Sequence, residues 1–383
     1  MTRSSIYLDH NASAPLLPEA RAAMLAAFEL VGNPSSVHSH GRALRAAIDR
    51  ARAEVAELAG AEREQVVFTG SATEAITQAI VAGARAFGAG AIVVSAGEHQ
   101  AVLRAAEATG LPVRRVPLDG NGQIAVDDIA AAIAEADSAG LRLLVAMHLV
   151  NNETGVVQPV SAIERLVGPS HHVLFVDAVQ ALGKLPLEFA ARATDLMAIS
   201  SHKIGGPAGT AALLMKGHAA DVRLIPGGGQ EGGRRGGTEA AALIAGFGAA
   251  ATAFSKRYRG ADIAELLRRV ETGMRESAPD LVVFGAGAER IGNVCNFAVP
   301  GLRNSVAMMG LDLAGLSVSS GSACSSGKVG PSHVLAAMGV AAELSECALR
   351  VSLGWSSSAD DIAAYLKGFG DVVGRHRSRR VAA

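Results

Sequence analysis

Several features that would define a class of protein are scarce or missing in this sequence. Its 383 residues include three cysteines, Cys295, Cys324 and Cys347, with no close pair among them. That excludes a disulfide-stapled scaffold and a C-x-x-C metal site. Only 19% of residues are charged and the net charge is -1, so there is no bulk electrostatic case for binding nucleic acid or an anionic membrane. The longest charge-free stretch, Ala240 to Ser255, is too short and too rich in alanine and glycine for a membrane span. The opening MTRSSIYLDHNAS lacks the apolar core of a signal peptide, so a soluble, cytoplasmic protein is expected. Lysine is rare as well: Lys184, Lys203, Lys216, Lys256, Lys328 and Lys367 are all there are, and arginine carries most of the positive charge.

What is present is apolar. Hydrophobic residues make up 49% of the chain, which favours a well-buried globular enzyme core over a disordered segment. Short apolar runs at Val66–Thr69, Ala91–Ser95, Leu143–Met147, Val173–Val176, Leu196–Ser200 and Ala211–Met215 are each bounded by polar or glycine-rich segments. Buried parallel strands covered on both faces read this way. Leu44, Ile48, Ala51, Val55 and Leu58 recur at steps of four and three, the stripe of an amphipathic helix, and Ser71 to Phe87 is helical in pattern. The expectation is an α/β protein: a large, doubly wound, mostly parallel sheet domain over 16–254. A smaller α+β domain is expected to combine 1–15 with 255–383. Ligands of such sheets gather at the carboxyl ends of the strands. The last helix is expected over Ala359 to Val373, with the basic tail Arg375–Arg380 frayed beyond it.

Three motif matches fail on inspection. Gly227-x-Gly229-x-x-Gly232 fits a dinucleotide pattern but runs into Gly233, Arg234, Arg235, Gly236 and Gly237, which is no start for a helix. Gly321 to Lys328 resembles a P-loop with one residue too many between its glycines and Val329 where a Ser or Thr is required. His38-x-His40 and His171-His172 lack partners at metal-ligand spacing.

One constellation remains. Asp177 closes an apolar run, and an isolated carboxylate there is costly unless it meets a cation or a strong donor. Gln180 follows three residues later. The next run ends in Ser200-Ser201-His202-Lys203, so two neighbouring strand ends deliver an acid, an amide, hydroxyls, an imidazole and a primary amine. A desolvated lysine loses pKa and attacks carbonyls. An aspartate opposite it suits a protonated pyridine nitrogen. Together they point to pyridoxal 5'-phosphate, and the strand–GSAT–helix segment beginning at Phe68 offers free N–H groups for its phosphate, helped by Thr73.

At this level of detail the sequence resembles the cysteine desulfurases, within the class V aminotransferase-like group of fold type I pyridoxal phosphate enzymes. The matching segments run along nearly the whole chain: YLDHNASAP (7–15), GNPSSVHSHGR (32–42), FTGSATEAI (68–76), NNETGVVQPV (151–160), VDAVQ (176–180), SHKIGGPAGTAAL (201–213), GGGQEGGRRGGTE (227–239), SSGSACSSG (319–327) and ALRVSLG (348–354). The resemblance implies that Lys203 holds the cofactor as a Schiff base and moves the Cα proton. It implies that Asp177 pairs with the pyridine nitrogen, Gln180 with the ring hydroxyl, and that His99 stacks on the ring and takes part in acid–base steps. Ala72, Thr73, Ser200 and His202 would hold the phosphate, and Thr238 would reach the phosphate of a neighbouring subunit in a homodimer with shared active sites. Asn152 and Arg350 would bind the carboxylate of the substrate, L-cysteine. Cys324 would be the nucleophile that takes the sulfur as a persulfide, leaving L-alanine. Its small, polar, glycine-rich surroundings suit a surface loop, whereas Cys295 sits beside Val294 and near Phe297 like a core thiol. A sulfur-acceptor protein, such as an iron–sulfur scaffold, is the implied partner. A selenocysteine lyase, an aminotransferase and a non-catalytic sulfur carrier are the alternatives; Cys324 argues against an aminotransferase, which needs no thiol. The chain departs from many relatives in having Gly206 where a larger residue is common, and Gly236-Gly237 for a more usual Ser-Gly.

Overall fold

The computed structural model describes residues 5–320 and 332–381. Among these residues twelve strands form three sheets. In chain order they are β1 (Ile6–Tyr7), β2 (Val66–Thr69), β3 (Ala91–Ser95), β4 (Val113–Val116), β5 (Leu143–His148), β6 (Val173–Asp177), β7 (Leu196–Ser200), β8 (Ala211–Met215), β9 (Val282–Val283), β10 (Val294–Ala298), β11 (Leu316–Ser317) and β12 (Ala348–Ser352). The large sheet has the order β2-β8-β7-β6-β5-β3-β4. From β7 to β4 all neighbours are parallel; β8 runs antiparallel to both β7 and β2. The run Ala211–Met215, expected to be parallel, is therefore antiparallel. It is as apolar as its neighbours because burial on both faces, not strand direction, sets that composition.

Alternation along the strands sends residues to two cores. Val145, Met147, Leu174, Val176, Met197 and Ile199 pack on one face, and Leu144, Ala146, Phe175, Leu196 and Ala198 on the other. Each fully buried Phe or Leu contributes roughly 1.5–3 kcal/mol relative to exposure. Strand β4 is legible only in hindsight. Arg114 and Arg115 interrupt its apolar pattern because it is the sheet edge, where exposed charge is tolerated and blocks further pairing.

The amphipathic stripe belongs to helix Ser39–Ala59, capped by the His38 ring on Gly41 N–H and ended by Gly60 in the left-handed region. The helix after β2 starts at Ala72 with Ser71 as N-cap and passes through a π turn, Gln78–Ala82, before closing at Phe87. The π turn begins at Gln78, whose buried amide donates to the carbonyls of Val222 and Arg234. A third core joins Leu8 to Ile263, Val270, Cys295, Phe297, Val351, Tyr365 and Phe369, around the antiparallel sheet β12-β10-β9 and the parallel pair β1–β11. The last helix, Ala359–Val381, runs through the tail expected to fray. Arg377 explains part of this extension: its guanidinium donates to Ser277 O and pairs with Asp280.

The segment Gly227 to Gly237 is no nucleotide loop. Its two ends cross backbone to backbone, and a Cβ on Gly236 would stand 2.6 Å from Gly227 Cα. Gly236 N–H donates to Ile225 O at that crossing. The glycines answer a close approach of chain to chain, which a regular expression cannot distinguish from a phosphate cradle.

Candidate active site

A cavity of ≈ 440 Å³ is lined by Ala12, Ser71, Ala72, Thr73, His99, His148, Asn152, Asp177, Gln180, Ser200, His202, Lys203 and Thr210, among others. Nine of the twelve residues expected to act from sequence are in this lining: Lys203, His99, Ala72, Thr73, Asn152, Asp177, Gln180, Ser200 and His202. Arg350, Thr238 and Cys324 are not. Arg350 lies fully buried on β12 beside the cavity, donating to Asn152 O at 3.1 Å and pairing with Asp9 at 2.7 Å. Thr238 is exposed. Cys324, with the P-loop look-alike around it, lies outside the described residues. Cys295 is buried, as its apolar setting suggested, and so is Cys347.

The lysine and the acid come from adjacent parallel strands. Asp177 is the last residue of β6, buried, with Oδ1 accepting Val179 N–H at 2.9 Å. Burial pushes its carboxyl above the usual aspartate range, against the pull of that hydrogen bond and of His99. Lys203 ends a 3₁₀ turn that follows β7 directly, and its Nζ donates to Asn11 O at 2.7 Å and Ala12 O at 2.9 Å. His202 is pushed down to about 4 by burial and then by the neighbouring Lys203 charge, so its ring is neutral near pH 7. His99 caps the helix Gln100–Ala108, its Nδ1 accepting Ala101 N–H at 3.1 Å. Its proton is therefore on Nε2 in the neutral ring.

Sequence reasoning assigned no role to several residues here. Asn11 is a hub: its carbonyl accepts from both Lys203 and Gln180, its Nδ2 donates to Asn152 O, and its Oδ1 accepts from Asn293. His148, the last residue of β5, meets Glu98 through Nδ1 at 2.6 Å. Burial alone would lower the His148 pKa, but the Glu98 charge and hydrogen bond raise it. His148 ends an apolar run just as Asp177 does, so the same signal was available. Thr210 carries a buried hydroxyl with no hydrogen-bond partner among the described residues. The fold also brings Asp137 beside the His171-His172 pair, which sequence spacing did not suggest. His172 Nδ1 accepts Leu143 N–H at 3.0 Å, which puts the proton on Nε2, the atom 3.4 Å from Asp137. That tautomer offers a metal no lone pair.

These residues fit pyridoxal phosphate. A buried carboxylate with one N–H donor is costly, and a cationic ring nitrogen would relieve it. The start of the helix after β2 faces the same cavity with Ser71, Ala72 and Thr73. Fold and cavity together define the class: the fold type I pyridoxal phosphate enzymes.

Comparison with known proteins resolves this class further. Residues 6–365 match the family described as Aminotransferase class-V. A cysteine desulfurase of Cereibacter sphaeroides is 38% identical over 381 residues, covering 97% of each chain. A cysteine desulfurase of Dictyoglomus turgidum is 33% identical over 369 residues, covering 94% of this chain and 92% of its own. A NifS-like protein from Rickettsia africae superposes with a TM-score of 0.87 at 28% identity, covering 96% of this chain and 99% of that one. The chain belongs to the class-V aminotransferase family and, within it, to the cysteine desulfurases, which use pyridoxal phosphate.

Proposed function

We propose that the protein converts L-cysteine to L-alanine, taking the sulfur onto Cys324 as a persulfide and passing it to an acceptor protein, iron–sulfur assembly being the favoured destination. The observation that carries this reading is the shared cavity of Lys203 and Asp177 in a chain whose relatives are cysteine desulfurases. When bound, the cofactor would supply an electron sink for the charge that develops as the Cα–H bond breaks. Asp177 would hold the ring nitrogen protonated, Gln180 and His99 would hold the ring, and Ala72, Thr73, Ser200 and His202 would hold the phosphate. Arg350 and Asn152 take the substrate carboxylate; Arg350 already bonds to the Asn152 carbonyl. Lys203 removes the Cα proton. The Cys324 thiolate then attacks the substrate sulfur: the S–S bond forms, the Cβ–S bond breaks with its electron pair left on Cβ, Cβ takes a proton, and Lys203 returns its proton to Cα, which completes alanine.

The wider reading includes a homodimer in which Thr238 completes the partner's phosphate site; the exposure of Thr238 outside its own cavity supports it. It also includes a cytoplasmic location and a division into a large domain, 16–254, and a small one, 1–15 with 255–383. The third core, which joins Leu8 to residues beyond 262, supports that division. Among the described residues no helix is long and apolar enough to cross a membrane.

Two variants test the chemistry. Cys324→Ala is expected to keep the visible absorbance of the bound cofactor and lose sulfide release from cysteine. Lys203→Ala is expected to lose both the characteristic band and alanine formation. Undiminished sulfide release from the Cys324 variant would exclude the persulfide route.

A further inference from the structure

Lys184, the first of only six lysines in the sequence, is half-buried, with its Nζ beside the Gln180 amide. It follows β6 on a tight helical turn: the Lys184 N–H bonds to Ala181 O, and the Leu182 N–H to Ala178 O. Positions 180 and 184 therefore share one side of the turn. Lys184 Nζ stands 3.1 Å from Gln180 Oε1, while Gln180 Nε2 donates to Asn11 O at 2.9 Å. Asn11 O also accepts from Lys203 Nζ at 2.7 Å. A single relay thus runs from Lys184 through Gln180 and Asn11 to Lys203.

The chemistry of the two end groups fixes the amide between them. An amine on lysine offers hydrogens to an acceptor, so it meets the amide oxygen; a backbone carbonyl can only accept, so it meets the amide nitrogen. Both demands give the same orientation. One of the two Nε2 hydrogens goes to Asn11, and Gln180 lines the cavity, so the second is the one available there. Among the described residues, the Asn11 contact alone would hold the amide against rotation without Lys184.

We propose that Lys184 is a positioning residue for the cofactor: it locks the Gln180 amide so that an N–H, not a carbonyl, is presented to the ring oxygen next to the Schiff-base carbon. This rests on the placement of the cofactor between Asp177 and Lys203. The charges facing Lys184 are those of Lys203 and Arg350, with His10 also close enough to feel its charge. Burial, and then those two cations, push Lys184 down to about 7. It remains a hydrogen-bond donor whether protonated or neutral.

A donor held on the ring oxygen makes that oxygen a poorer partner for the protonated Schiff base, and so lowers the pH at which the base loses its proton. The test is a pH titration of the cofactor's visible band in the holoprotein without substrate. Lys184→Met is expected to raise the midpoint by about one pH unit, a tenfold change in proton affinity. Lys184→Arg, which keeps a donor, is expected to titrate like the parent. Gln180→Leu is expected to shift the midpoint by a similar amount, and Lys184→Met in that background to add nothing. An unshifted midpoint in loaded Lys184→Met would overturn the proposal. So would a shift that persists undiminished in the Gln180→Leu background, which would mean that Lys184 acts by charge alone. Should Lys184→Met fail to load cofactor, Lys184→Gln and Lys184→Ala replace the comparison, the first expected near the parent midpoint and the second above it. A parent protein with no visible band would reject the cofactor placement instead.

Discussion

At the scale of single residues the site is governed by the cost of burying polar groups. Asp177 is nearly inaccessible, and its carboxyl is held above the aspartate range chiefly by burial. This gives Asp177→Asn two opposite outcomes. Cofactor affinity should fall by about tenfold to a hundredfold, since a charge-assisted contact contributes roughly 1.5–3 kcal/mol. The cofactor-free protein should melt at a higher temperature than the parent, because a poorly compensated buried charge has gone. A fluorescence titration with pyridoxal phosphate and a melting curve of the apo form check both; an Asn variant that binds cofactor as tightly as the parent would contradict the assigned role. Asp177, Gln180 and Lys203 were legible in the sequence because each directly follows an apolar run or lies one turn beyond it. Asn11 was not. It lies far away in sequence and meets Lys203 and Gln180 through its backbone carbonyl, which every residue possesses.

At the element scale, close packing accounts for the glycine at position 206. Gly206 sits in the loop between β7 and β8, against the turn that carries Lys203. A Cβ at 206 would lie 2.1 Å from Ser201 Oγ, 3.1 Å from Ser201 O and 3.2 Å from Ala250 Cβ. The serine hydroxyl occupies the space that a side chain at 206 would need, so the two positions are read as a matched pair. Gly206→Ala should destabilise the protein by about 1–3 kcal/mol, the usual cost of overpacking. Ser201→Gly in the same chain should recover most of that loss. Urea unfolding of the two single variants and the double variant measures the coupling, and additive effects would dismiss the pairing. Strand β4 is the contrasting case. Its two arginines hid it from a search for apolar runs, and only its pairing with β3 makes it a strand.

For the whole molecule, pH acts through histidines that the fold keeps neutral. His10 is 3% exposed, with neither ring nitrogen bonded among the described residues, and burial followed by the Lys184 charge pushes it down to about 4. In the unfolded chain the ring titrates near 6.5. Between about pH 6.5 and 4 the unfolded state therefore binds more protons, so stability falls as the pH drops through that window and is complete only above it. His10→Gln should flatten this acid limb in denaturant melts of the apo protein. An unchanged slope would show that His10 is protonated in the folded state after all.

The sequence by itself determined the α/β class, the strand ends that carry the acid and the lysine, and the motifs shared with cysteine desulfurases. These follow from local rules: periodicity, the cost of a polar group beside an apolar run, and residues in a fixed order. Tertiary structure alone decided that β8 turns against its neighbours, that Gly227 and Gly236 cross, and that Asp137 meets His172 in a tautomer closed to metals. It also decided that Lys184 meets Gln180, which lines the cavity, through the side-chain amide. Each of these depends on distances between segments far apart in the chain, and hydrophobic pattern carries no information about the hydrogen-bond direction or backbone approach that results when they meet.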